Sequence, residues 1–157
     1  MIEYEDLRIT KLRTYLFGVV NKIVDDKKYQ INADMLSNDI NNYSLDKMPV
    51  DKNVENWIID VDKYRDVFSF RGRFPYSQKA INNLKNVGFF EIFESIIKSN
   101  NEKGDLPDIG NIESIRTLNP GTMNSTDGVT AEFDIQIEIT YLENNIKEVW
   151  NHEKNYS

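Results

Sequence analysis

The sequence predicts an α+β domain, a mostly antiparallel sheet with two main helices packed on one face. Three observations lead there. Apolar residues recur at three- and four-residue steps in two separate stretches, one near the start and one in the middle. A strict two-residue alternation runs from Ala131 to Tyr141. Between the two helical stretches lies an aromatic strand pattern, so the order is helix, strands, helix, strands. The 157 residues suit a single domain, and 39% hydrophobic residues can build its core without covalent staples.

The first helix is expected over residues 3 to about 25. Leu12, Leu16, Val19, Val20 and Ile23 form its apolar stripe, with Tyr15 beside them. Glu3, Glu5 and Asp6 suit the positive end of a helix. Asp25 to Lys28 reads as a turn. Tyr29 to Asn32 then looks extended, and Asn38 to Asn42 looks like a polar loop. Tyr43 to Val50 alternates weakly and fits an edge strand ended by Pro49.

A hairpin is expected next, with arms Val54 to Val61 and Tyr64 to Phe74 and a turn at Asp62-Lys63. In the second arm Phe68, Phe70 and Phe74 share one face. Arg65, Ser69, Arg71 and Arg73 share the other, interrupted by Val67. Pro75 stops the strand, and Ser77 offers an N-cap hydroxyl to a second helix over Gln78 to Asn100. The apolar set of that helix is Ile81, Leu84, Phe89, Phe90, Phe93, Ile96 and Ile97. Asn86-Val87-Gly88 predicts a kink or a break.

Residues 101–110 read as a loop, Ile112 to Leu118 as a strand, and Asn119 to Gly128 as a turn-rich connection. In the final strand Ala131, Phe133, Ile135, Ile137, Ile139 and Tyr141 alternate with Glu132, Asp134, Gln136, Glu138 and Thr140. One face is buried and the other acidic and wet. The domain is placed at residues 1–143. Residues 144–157 form a tail with Ile146, Val149 and Trp150 at helical spacing, a short helix or a docking segment.

The composition narrows the function. There is no cysteine and a single histidine, His152, which removes thiol chemistry and leaves little for a metal site or a Ser-His-Asp arrangement. A net charge of −7 disfavours broad nucleic-acid binding. No apolar run approaches the length of a membrane span, and the acidic start differs from a secretory signal. The chain is expected to stay inside the cell that makes it. Neither Gly18 nor Gly72 belongs to a phosphate or dinucleotide fingerprint, and the Gly121 to Gly128 loop lacks a phosphate-loop lysine.

Two carboxylate sets invite an acid/base reading, Asp60 with Asp62 and Glu132 with Asp134 and Glu138. A solvated strand face explains them more simply, since such chemistry also needs a cleft and a raised pKa. Arg65, Arg71 and Arg73 form a basic stripe in an acidic chain. It serves to pair neighbouring acids or to contact another acidic subunit through arginine's planar fork, with DNA contact as a lesser option. Bottom-up, the residues stop at an acidic α+β domain with a surface for protein contacts, no cofactor and no enzyme site.

Several stretches, met in order between residues 29 and 142, carry a resemblance. They are Tyr29-Gln30-Ile31-Asn32, Tyr43-Ser44-Leu45-Asp46-Lys47-Met48-Pro49 and Asp66-Val67-Phe68-Ser69-Phe70-Arg71-Gly72-Arg73. Then come Pro75-Tyr76-Ser77, Asn83 to Phe93 with its Asn86-Val87-Gly88-Phe89-Phe90-Glu91 core, Leu106-Pro107, and Ala131 to Tyr141. This string resembles the small tail-terminator family of tailed bacteriophages and prophages of low-GC Gram-positive bacteria, often labelled minor capsid proteins. The tail after Asn144 has no counterpart in that pattern.

The resemblance implies a structural α+β subunit that forms a six-fold ring on the last layer of a tail tube, in a phage or a phage-tail-like bacteriocin. The ring ends polymerisation and presents the neck or collar surface. Implied partners are further copies of the chain, the tail tube protein, the sheath protein and a neck or head-completion protein. No nucleic-acid specificity and no membrane partner are implied. The implied location is the bacterial host cytoplasm during assembly, then the tail–neck junction of the virion or particle. A ring needs two different faces to meet. Arg65, Arg71 and Arg73 are therefore expected to meet Glu132, Asp134 and Glu138, within the subunit or across the ring. Asn119, Gly121, Met123, Asn124 and Asp127 are the expected tube contact, and Ile146, Val149 and Trp150 the expected C-terminal docking residues. Rival readings are another neck connector such as a head-completion protein, a small carboxylate enzyme, and a domain that binds a peptide along a sheet edge.

Overall fold

A computed structural model of the chain describes residues 3, 5, 7–24, 29–50, 53–58, 61–77 and 79–144. It is an α+β fold. Two helices, α1 (Arg8–Asn21) and α2 (Ala80–Lys103), pack against a mixed, mostly antiparallel sheet. The strands are β1 (Ile31–Ala33), β2 (Asn42–Met48), β3 (Asn53–Ile58), β4 (Val61–Pro75), β5 (Asn111–Thr117), β6 (Thr122–Thr126) and β7 (Thr130–Asn144).

The sheet is organised by its two longest strands. β4 and β7 run antiparallel in unbroken register from Val61↔Asn144 to Pro75↔Thr130. Each is 15 residues long, and each lends its outer edge to two shorter strands. β2 and β3 share the edge of β4, while β5 and β6 share the edge of β7. β1 joins outside β2 as the one parallel pairing among the described strands.

The alternation in β7 decides which face the helices cover. Ala131, Phe133, Ile135, Ile137, Ile139 and Tyr141 are all buried. The register sets them beside Phe74, Gly72, Phe70, Phe68, Asp66 and Tyr64 of β4. α2 lies over this face through Phe89, Phe90, Phe93 and Ile97, and α1 adds Leu12, Leu16, Val19 and Val20. Each such side chain contributes about 1.5–3 kcal/mol by leaving water. Aromatic stacking fixes the fit: Phe93 on Phe70 at 5.1 Å, Phe89 on Tyr43 at 5.8 Å and Phe90 on Phe133 at 5.8 Å between ring centroids.

Several elements depart from the sequence reading. α1 begins at Arg8 after the cap residue Leu7, so Glu3 and Glu5 precede the helix rather than open it. β2 is an interior strand between β1 and β4, because Tyr43, Ser44 and Leu45 are all buried and both edges are paired. Asp62 and Lys63 are the second and third residues of β4, paired to Glu143 and Leu142, so they form no turn. Residues 119–128 hold a strand, β6, paired with β7.

α2 runs unbroken through Asn86-Val87-Gly88. Packing of Phe89, Phe90 and Phe93 outweighs the weak local propensity, and Asn86 Nδ2 donates to the Pro75 carbonyl at 2.8 Å. The helix cap is Lys79, not Ser77, whose Oγ accepts the Lys79 amide at 3.2 Å outside the helix. Ile81 and Leu84, expected in the core, are 60% and 64% exposed. They begin a stripe that ends at exposed Ile92, opposite the buried one. At the far end Gly104, at φ 74°, closes the helix with Schellman bonds from its own amide to Asn101 and from the Asp105 amide to Asn100. Asn101 then clamps β5, accepting the Ile115 amide at 2.9 Å and donating to the Ile115 carbonyl.

Candidate interaction face

On the sheet face away from the helices, β4 presents Arg65, Ser69, Arg71 and Arg73, and β7 presents Glu132, Asp134, Gln136, Glu138 and Thr140. The structure brings together all six charged residues expected there. The register sets Arg71 opposite Asp134 and Arg73 opposite Glu132, yet the bonds follow the diagonals available to long side chains. Arg71 Nη1 reaches Glu132 Oε1 at 3.0 Å, and Arg65 Nη1 reaches Glu138 Oε2 at 3.4 Å. Arg73 takes no carboxylate in these pairs; its Nε donates to the Ser37 carbonyl at 2.9 Å and its Nη1 to Thr130 Oγ1 at 3.3 Å.

Two further groups complete the lattice, and the sequence reading missed both. Asp46 of β2 pairs with Arg71 Nε, while its Oδ1 accepts Ser44 Oγ at 2.6 Å. Arg116 of β5 pairs through Nε with Glu138 Oε1 at 2.7 Å. Ser44, Asp46 and Arg116 follow the same two-residue rule as the β7 acids, so strand phase was the signal that could have found them. Burial works against charge on Arg71, but its bonds to Asp46 and Glu132 outweigh that and hold the guanidinium above its ordinary value.

The face expected to be wet is only partly so. Glu138 is 2% exposed and Thr140 is buried, its Oγ1 at 2.6 Å from Ser114 Oγ. A carboxylate this deep needs charge-assisted partners. Glu138 has two arginines, and Asp134 Oδ2 accepts Ser69 Oγ at 3.4 Å. Of the acids proposed for acid/base work, Asp62, Glu132, Asp134 and Glu138 are thus engaged in ion pairs and hydrogen bonds within the chain. Among the described residues no group of three or more His, Asp or Glu side chains could hold a metal ion. No described helix is long and apolar enough to cross a membrane.

The expected tube-contact residues divide into two kinds. Asn119 and Gly121 are built into the fold. Asn119 Oδ1 accepts the Gln136 amide at 2.8 Å where the partner of β7 changes from β5 to β6, and Gly121 lies on the Phe90 ring. Met123 and Asn124 stand on β6, every residue of which is exposed. Asp127 shapes the β6–β7 turn: Oδ1 accepts the Val129 amide at 2.9 Å and the Thr130 amide at 2.7 Å. These bonds, the Thr130 one foremost, hold its carboxyl below the ordinary value. Gly128, at φ 89°, completes the turn in the left-handed region that favours glycine. Ile146, Val149, Trp150 and His152 lie outside the described residues, as does Asp60.

No protein-family model matches this chain, and no curated protein resembles it at a significant level.

Proposed function

We propose that the chain is a structural subunit that caps a phage or phage-tail-like tube as a ring of about six copies, a tail terminator. One observation carries this beyond the sequence resemblance. The separate stretches that bear the resemblance pack as one unit. Tyr43 of the Tyr-Ser-Leu-Asp-Lys-Met-Pro piece stacks on Phe70 of the aromatic strand at 5.4 Å and on Phe89 of the Asn-Val-Gly-Phe-Phe-Glu piece at 5.8 Å. The exposed β6 strand and its turn to β7 supply a projecting edge for the tube, and the self-paired Arg/Glu face supplies a polar surface for a neighbour.

Light scattering of the purified chain over a concentration series, with negative-stain images, tests the reading. Tubes assembled from the tail tube protein of the same genome are then added. Rings, or discs capping one tube end, are expected. A monomer at all concentrations that leaves tube ends bare overturns the proposal. Binding to head connectors but not to headless tubes would move the assignment to a head-completion protein.

A further inference from the structure

We infer that the outer edge of β5 is a strand-pairing surface for a second copy of this chain, and that the carboxamide of Asn101 keeps it shut. Among the described residues β5 is an end strand of the sheet, with β7 on one side and no strand on the other. Strand phase fixes which main-chain groups look outward. The Leu118 amide donates inward, to the Gln136 carbonyl of β7 at 2.9 Å. Ile115 turns its amide and carbonyl the other way, and both go to Asn101. Thr117 follows Ile115 by two residues with no shift of register between them, so its N–H and C=O share that outward direction.

Asn101 stands in for a strand. A carboxamide offers a donor and an acceptor side by side, the pair that a residue of a neighbouring strand would present. It belongs to the last turn of α2, where asparagine is a poor helix former. The far edge of the sheet is covered in a similar way: Arg13 of α1 donates through Nε to the Ile31 carbonyl of β1 at 2.6 Å. Edges left open invite pairing between chains, and helices that cover them prevent it.

Room for a chain exists beside the closed point. A groove of about 390 Å³ runs between α2 and β5, with Glu94, Lys98, Asn101, Arg116 and Thr117 among its walls. Asn101 closes it at Ile115. The last turn of α2 can lift from there while Phe89, Phe90 and Phe93 stay in the core.

A second copy fits this edge by symmetry and by charge. An antiparallel pair of β5 strands centred on Ile115 is two-fold. It sets Arg116 opposite Ser114 and Glu113 opposite Thr117, so no like charges stand directly opposed. β5 carries one acid and one base in a chain of net charge −7, so the strand adds no repulsion of its own. Glu94 and Lys98 of the groove also offset each other. The inference is independent of the tail-terminator reading.

Amide exchange in the full ¹⁵N-labelled chain, dilute and concentrated, tests it. In the parent the Ile115 amide should exchange slowly and the Thr117 amide fast at both concentrations. In Asn101→Ala the Thr117 amide should slow by roughly tenfold or more on concentration, and light scattering should show mass added over the parent. Asn101→Ser repeats the measurement should Asn101→Ala fail to fold. Thr117→Pro removes an outward N–H that β7 does not use, so adding it to Asn101→Ala should return the mass to that of the parent. Faster exchange at Ile115 alone, with Thr117 fast at every concentration, overturns the proposal and leaves Asn101 a purely structural bond. So does a Thr117 amide already slow in the parent, because the edge would then not be shut. Added mass that persists with Thr117→Pro, or that appears equally in Gly121→Ala, also overturns it, since lost stability rather than the edge would then drive association.

Discussion

Gly121 lies against the ring of Phe90 with no room between them for a Cβ. This contact joins the connection after β5 to the middle of α2, and it explains why a glycine stands there although its backbone needs no left-handed conformation. Gly121→Ala should cost about 1–3 kcal/mol, the usual range for overpacking. Urea unfolding should show a lower midpoint with an unchanged slope. Pairing it with Phe90→Leu should recover part of the loss, because the two sites share the space.

The two faces of α2 separate sharply in the same assay. Phe93 is fully buried on Phe70, while Leu84 is 64% exposed. Phe93→Ala should cost about 3–5 kcal/mol. Leu84→Ala should stay within about 0.5 kcal/mol of the parent. A large loss at Leu84 would mean that another surface covers the stripe in solution.

The arginines should rank by what their loss leaves unpaired rather than by their own exposure. Arg71 is bracketed by Asp46 and Glu132 and is 27% exposed, whereas Arg116 is 63% exposed but holds Glu138, which is 2% exposed. Arg116→Met leaves that buried carboxylate with Arg65 at 3.4 Å as its remaining arginine and should cost about 1–3 kcal/mol, more than a surface pair would. Arg71→Met leaves two carboxylates facing each other across a part-buried site and should cost a similar amount, about 1–3 kcal/mol. Thermal unfolding at low and high salt checks both. Added salt should change either loss little, because part-buried pairs are screened less than exposed ones.

The contrast between β7 and its surroundings shows what was legible in the sequence. Alternation from Ala131 to Tyr141 gave the strand, its buried face and the position of its acids, since one period governs all three. The same logic placed Phe68, Phe70 and Phe74 inward. β6 was not legible: Thr122 to Thr126 are all exposed and carry no apolar pattern, and only pairing with β7 makes them a strand. Ile81 and Leu84 misled because helical spacing reports a stripe without saying which stripe is covered. In the candidate face the six charged residues were found, but the role of Glu138 was not. A carboxylate in a polar alternation looks wet, and its burial arises only when β4 and β5 flank it with Arg65 and Arg116.

Asp127 gives a pH signature. Its folded pKa is depressed by the Thr130 and Val129 amides, so the stability it contributes is present above the ordinary Asp value of about 3.9. That contribution is lost as pH falls through the lower folded value. The carboxyl carbon of Asp127 should titrate by NMR with a midpoint below about 3.9, and the Thr130 amide should shift with it. Asp127→Asn keeps an acceptor oxygen for the turn, so the Thr130 shift should become independent of pH in that range. A midpoint at or above the ordinary value would show that the turn does not hold in solution.

Assembly can be separated from folding by choosing side chains that the fold does not use. Arg71→Glu with Arg73→Glu is a poor probe, because it would set acids beside Asp46 and Glu132 and damage the sheet itself. Met123 is 46% exposed on β6. Met123→Asp should leave stability within about 0.5 kcal/mol, so any loss of assembly reports an interface. If β6 meets the tube, this variant should fold normally, leave tube ends uncapped and let tails grow past their usual length. Electron micrographs of tails grown with parent or variant protein give the length distribution directly. Parent-like tail lengths with Met123→Asp would remove β6 from the proposed contact and direct the search to the exposed stripe of α2.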